Sequence, residues 1–132
     1  MTTGEKKAAL LLAFGGIETT DDIEPFLKNI LRGRPVSSVM LARTAERYEK
    51  IGGRSPLLDI TRAQAAAVEK KLAEKGAAQK VYVGMRYWHP YIKDTMEEIA
   101  RDGVTRVTAA VMTPFTSPVA TGGYEDDMAQ IQ

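Results

Sequence analysis

The chain has 132 residues, 44% of them hydrophobic and 27% charged, enough for one globular domain with its own buried core. Its 18 basic and 17 acidic residues interleave and leave a net charge of +1, which argues against the concentrated basic face that nucleic acid requires. Cysteine is absent, which excludes disulfides, thiol catalysis and thiolate metal sites, and no apolar run reaches membrane-spanning length; the expectation is a soluble, cytoplasmic protein without a transmembrane segment.

Taken in chain order, the apolar run AALLLAF at Ala8 to Phe14 has strand length and ends at Gly15-Gly16, as expected of a strand buried on both faces. Thr19 and Thr20 can cap a helix carrying Asp21 and Asp22 in its first turn and Ile23, Phe26, Leu27 and Ile30 on one stripe, with Gly33 and Pro35 ending it. Ser37 or Ser38 can start a second helix that keeps Leu41, Ala45 and Tyr48 on one face and stops at Gly52-Gly53. A third is expected from Thr61, with Ala65, Val68 and Leu72 at helical spacing and Gly76 at its end. Lys80 to Tyr87 has the aromatic and β-branched content of a strand, and Pro90 opens an amphipathic helix with Ile92, Met96 and Ile99 inward that closes at Gly103. Val104 to Pro114 is a third strand candidate, and a last helix follows from about Tyr124. Strands alternating with helices predict an α/β fold with a parallel sheet flanked by helices, whose ligands sit beyond the carboxyl ends of the strands, here the loops after Phe14, Tyr87 and Pro114.

The segment RYEKIGGRSPL, Arg47 to Leu57, reads in two ways: as a helix C-terminus with a glycine cap and a Pro turn, or as a polar loop that holds an anionic ligand. Gly15-Gly16 after a strand fits neither GxGxxG nor a Walker sequence, and permits close backbone approach more readily than it builds a phosphate loop. Arg32, Arg34 and Arg47 could pair with ligand carboxylates or be solvated surface groups. His89 is the sole histidine, beside Trp88 and Pro90, and a single imidazole favours a structural role over a metal site. Asp126 and Asp127 could help bind a cation or answer the dipole of the last helix.

Five ordered segments go further than periodicity. LLLAFGG (Leu10 to Gly16), PFLKNILRGRP (Pro25 to Pro35), RYEKIGGRSPLLDITRAQA (Arg47 to Ala65), VYVGMRYWHPYI (Val81 to Ile92) and TGGYE (Thr121 to Glu125) resemble the amino-terminal half of the ferrochelatase family, in its order and at its spacing. The resemblance implies a chelatase-like, Rossmann-like domain, one of two similar domains that enclose a porphyrin while ferrous iron is inserted. Porphyrin and ferrous iron would be substrates, with no permanently bound cofactor. Arg32, Arg47, Tyr48, Ser55 and Tyr124 fall on positions that the family associates with the tetrapyrrole and its propionates, and Phe14 and Ile30 on positions lining the pocket. Phe14 departs from the tyrosine often found there in the branch acting on coproporphyrin.

The family's metal-handling histidine and its acidic partner belong to the carboxyl-terminal domain, so residues 1–132 are expected to be an incomplete, porphyrin-cradling half without a metal site, inactive alone. His89 matches a family position of its own and does not replace the missing histidine. The half would need a second chelatase domain or a homodimer partner, exposing Phe14, Ile30 and Tyr124 as an apolar patch on its cleft wall. The alternatives are a non-catalytic tetrapyrrole-binding module and a half-size homodimeric chelatase.

Overall fold

The computed structural model describes residues 4–113 and 123–131. Its sheet has three parallel strands in the order β2-β1-β3, formed by Lys7–Ala13 (β1), Lys80–Met85 (β2) and Arg106–Val111 (β3). The first strand in sequence is therefore the central one, with Leu10 paired to Tyr82 on one side and to Ala109 on the other. That position accounts for its unbroken apolar run. Ala8, Leu10 and Leu12 point to one face and Leu11 and Ala13 to the other, and all five are buried. The ladder ends earlier than expected, leaving Phe14, Arg86 and Tyr87 beyond it. Two backbone bonds, Arg86 N to Ala13 O (2.9 Å) and Tyr87 N to Phe14 O (3.0 Å), carry the two exits side by side past the sheet.

Helices cover both faces. Leu57–Glu74 (α3) packs Ala65, Leu57 and Leu58 against Leu11, Ala13, Val83 and Met85. On the opposite face Ile92–Arg101 (α4) and Gly123–Ile131 (α5) close over Leu10, Leu12 and Tyr82 through Ile92, Ile99 and Tyr124. α4 approaches β2 so closely that a Cβ on Gly84 would stand 3.3 Å from the Ile92 Cα, while Thr95 Oγ1 donates to the Val83 carbonyl at 2.9 Å. A third apolar cluster lies beyond the strand ends. There Ile23–Leu31 (α1) and Ser38–Glu49 (α2) enclose Ile17, Phe26, Leu27 and Trp88.

Local chemistry explains where the elements begin. A 3-10 turn, Thr20–Asp22, precedes α1, and the Asp22 carboxylate accepts from the Glu18 and Thr19 amides at 3.0 Å each. Ser37 caps α2 by accepting from Met40 N at 3.1 Å. α3 starts at Leu57, not at Thr61. The Ser55 hydroxyl accepts from Leu57 N at 3.1 Å and Pro56 occupies the N-cap, so the helix is under way before Thr61. Thr61 faces the sheet, buried, with its Oγ1 satisfied by the Leu57 carbonyl at 2.8 Å, whereas Val68, expected inward, is exposed. α4 starts two residues after Pro90, with Tyr91 at its N-cap. Residues 114–122, which include the loop expected after the third strand and the start of TGGYE, lie outside the described residues. Among the described residues no helix is long and apolar enough to cross a membrane.

Candidate functional site

The chain crossing out of β1 meets the Arg47–Leu57 loop at Gly16. A Cβ there would collide with the Cβ and Oγ of Ser55, and the Ser55 amide donates to the Ile17 carbonyl at 2.8 Å, so absence of a side chain lets the two loops touch. Ser55 thus joins three elements: it backs the turn after β1, accepts from the first amide of α3 and ends the glycine turn after α2. In that turn Gly52 and Gly53 have positive φ (92° and 81°), and the Tyr48 carbonyl accepts from Ile51 N (3.0 Å) and Gly53 N (2.8 Å), the glycine cap of the first reading. Arg54 braces the loop between Glu18 (3.2 Å) and Asp59 (3.0 Å). Tyr48 packs its ring in the third cluster, and burial pushes its phenol above the usual tyrosine value, opposed by the Ile17 backbone. Arg47 is exposed on the last turn of α2, with no ion-pair partner among the described residues.

A second group of residues gathers where β1 and β2 end. Phe14, 46% exposed, lays its ring against Tyr87 (centroids 4.7 Å apart) and meets the edge of Phe26 at 6.2 Å. Asn29 on α1 donates to the Tyr87 carbonyl at 3.0 Å and to the Tyr91 hydroxyl at 2.8 Å, fixing both tyrosines from below. Arg86 follows β2 directly; its side chain is only 9% exposed and its guanidinium lies over the rings of Tyr87 (4.8 Å) and Tyr124 (5.5 Å). Its Nε donates to Asp127 Oδ2 on α5 at 3.1 Å, and its remaining nitrogens rest on Gly123, where any Cβ would clash with them.

Arg32 faces the same space. It ends α1 in the left-handed conformation (φ 50°), the only residue other than glycine with positive φ among those described, and has no ion-pair partner among them. Asn29, Arg32, Arg86, Tyr87, Tyr91 and Asp127 line an open cavity of about 340 Å³. Arg86, Tyr91 and Asp127 also border a larger recess of about 660 Å³ beside Lys93, Asp94 and Glu97.

The structure therefore brings Arg32, Phe14 and Ile30 to one side of the strand ends and places Ser55 and Tyr48 at the turn after β1. The expected exposed patch of Phe14, Ile30 and Tyr124 is not formed. Tyr124 is 6% exposed because α5 packs it into the core under Arg86, and Ile30 is half-buried in the third cluster; only Phe14 is open. Burial pushes the Tyr124 phenol up to about 12, although Arg86 draws it the other way. Asp127 pairs with Arg86; the Asp126 side chain lies outside the described residues. His89 meets Trp88 edge-on (centroids 5.0 Å apart) and Tyr91 at a tilt (4.5 Å). No group of three or more His, Cys, Asp or Glu side chains among the described residues could hold a metal. Sequence reasoning missed Arg86 and Asn29, and it raised Asp127 without its arginine partner. The available signal was Arg86 itself, a cation directly after a buried strand, where a solvated side chain has no room.

A parallel sheet with helices on both faces and an open cavity beyond the carboxyl ends of its strands is a Rossmann-like α/β architecture. The ferrochelatase family model matches residues 6–132, and the chain belongs to that family. It is 45% identical to the coproporphyrin III ferrochelatase of Nocardia farcinica over 89% of its length, and 41% identical over 90% to a chloroplastic ferrochelatase-2 of Oryza sativa subsp. japonica. With the ferrochelatase of Deinococcus radiodurans it shares 35% identity over 95% of its length. The chain spans 32%, 26% and 40% of these three relatives, respectively.

Proposed function

We propose that this chain is the porphyrin-cradling part of a ferrochelatase, which inserts ferrous iron into a porphyrin in haem biosynthesis. The observation that carries the reading is the convergence of Arg32 and Arg86 on one cavity beside the Phe14–Tyr87 ring pair. A macrocycle that is apolar in its plane and anionic at its rim requires those two surfaces together: rings for stacking and burial, guanidiniums for carboxylates. Arg32 is the group best placed to receive a carboxylate, since it has no counter-charge among the described residues. Ser55, held by three elements, offers a fixed hydroxyl at the turn after β1, and Arg47 an exposed charge on the last turn of α2.

Iron entry releases two pyrrole protons and requires the nitrogen lone pairs to turn out of the macrocycle plane. In this reading the rigid wall of Phe14, Tyr87 and Tyr91 bears on one face of the ring, and a second chelatase domain, or a second copy of the chain, closes the other. The base and the groups that handle ferrous iron belong to that partner. The lack of cysteine and the near-neutral charge suit work in the cytoplasm.

Porphyrin absorbance titrations test the cradle. Arg32→Ala should weaken binding of a carboxylated porphyrin by an amount equivalent to one charged hydrogen bond, about 1.5 to 3 kcal/mol. Equal affinities for wild type and variant would sink the assignment.

A further inference from the structure

The Arg86–Asp127 pair differs from the other ion pairs described. Its arginine is 9% exposed, while the other pairs join groups that are 37% to 74% exposed. It also stands on the wall of the cavity that holds Arg32, which has no ion-pair partner among the described residues. The Asp127 carboxylate touches Arg86 through Nε alone, and Asp127 is itself 30% exposed toward solvent. Tyr87, Tyr124 and Gly123 hold the guanidinium in place independently of Asp127.

We propose that Asp127 is an internal stand-in for a ligand carboxylate: an incoming carboxylate enters beside Arg32, takes over Arg86 from Asp127, and releases Asp127 to solvent. The proposal rests on the reading of the cavity as a porphyrin cradle and adds to it a positioning and specificity-determining residue, Asp127, that acts through Arg86. Exchange of one carboxylate for another leaves the buried guanidinium paired throughout. The desolvation cost of an unpaired buried cation, which would arise if Arg86 waited empty, is avoided. A neutral rim group cannot make the exchange, because displacing Asp127 would leave Arg86 without a counter-charge. The pair therefore discriminates against uncharged ligands by leaving them a cavity whose second cation is already occupied.

The test uses the 132-residue chain, coproporphyrin III and its tetramethyl ester, with affinities read by absorbance. Asp127→Asn removes the competing charge and should tighten coproporphyrin binding about tenfold, the value of one charged hydrogen bond, while leaving the ester unchanged. In an Arg86→Gln background the same substitution should have no effect. Tightening in both backgrounds would mean simple repulsion by Asp127, and weakening of acid and ester alike would mean that Asp127 only holds α5 in place; either result overturns the exchange.

A wild-type measurement guards against variants that fold poorly. Glutarate should move and saturate the Arg86 Nε–H signal in nitrogen–proton correlation spectra, and its diamide should not; an Nε–H signal that ignores glutarate overturns the proposal. Failure of wild type to bind either porphyrin, with the glutarate response intact, would sink the porphyrin reading and leave the exchange standing.

Discussion

Arg32 holds a left-handed backbone angle at the end of α1. An L-residue in the left-handed region costs about 1 to 2 kcal/mol, and glycine, which follows immediately as Gly33, would bear it freely. Arg32→Gly is therefore expected to raise stability in urea denaturation by up to about 1 kcal/mol while abolishing the contribution of Arg32 to porphyrin binding. A variant that lost stability would refute the account of the helix end. The opposite case is Gly16, whose hydrogen faces Ser55. Gly16→Ala should cost about 1 to 3 kcal/mol through overpacking, whereas Gly4→Ala, with open space around it, should change nothing. At the far end of the sheet, Tyr82 donates to Asp102 at 2.6 Å. Burial, reinforced by Asp102, pushes the Tyr82 phenol up to about 12, and the Tyr82 hydrogen bond holds the Asp102 carboxyl below its ordinary value. A raised phenol pKa contributes stability that is complete below pH 10 and lost as pH rises toward 12. The lowered carboxyl contributes above its ordinary value near 3.8 and loses its effect as pH falls below it. Wild type should accordingly lose stability between pH 10 and 12 relative to Tyr82→Phe in pH-dependent melts, and a parallel pair of curves would dismiss the coupling.

Among the elements, the two outer strands differ from the central one in what they can tolerate. Leu10 in β1 is fully buried between paired neighbours, and Leu10→Ala should cost about 2 to 5 kcal/mol. Thr108 in β3 is exposed on an edge strand, and Thr108→Ala should stay within about 0.5 kcal/mol. Amide exchange should likewise be slowest along β1 and faster on the outward side of β3. The strands were legible because a strand buried on both faces has to be apolar at every position, and Ala8 to Phe14 offers no other reading. Strand order was not legible, since nothing local in β1 says that both partners come later. The start of α3 was missed for a definite reason. Thr61 has the chemistry of a cap, but the helix already starts at Leu57, whose amide donates to Ser55, a residue the sequence left open as a ligand group. The cleft followed the same division. Resemblance pointed to Arg32, Phe14 and Ser55, each near a strand end or a turn. The Arg86–Asp127 pair depends on α5 folding back across the sheet, a contact between distant segments that periodicity does not report.

At the scale of the molecule, the cavity walls come from the end of α1, the turn after β2 and α5. The cavities beside Arg86 are open, and the face they present is charged and aromatic, with Phe14 as its exposed ring. In anaerobic metallation assays the 132-residue chain is expected to bind porphyrin without accelerating iron insertion. Adding the complementary part of the enzyme in trans should restore turnover only if docking overcomes an association cost of roughly 4 to 15 kcal/mol. Repeated turnover by the chain alone would show that it carries its own metal-handling groups, and His89 would be the first to replace.

The central place of β1 also has a consequence for how the chain comes into being. During synthesis the apolar β1 leaves the ribosome before either strand that shields its edges, Lys80–Met85 and then Arg106–Val111, has followed. Until then Leu10, Leu11 and Leu12 form an unpaired, uncharged β segment of the kind that recruits other chains. The lysines at its entrance, Lys6 and Lys7, and the glycines at its exit then act as gatekeepers in time: they interrupt aggregation while the nascent chain waits for its partners.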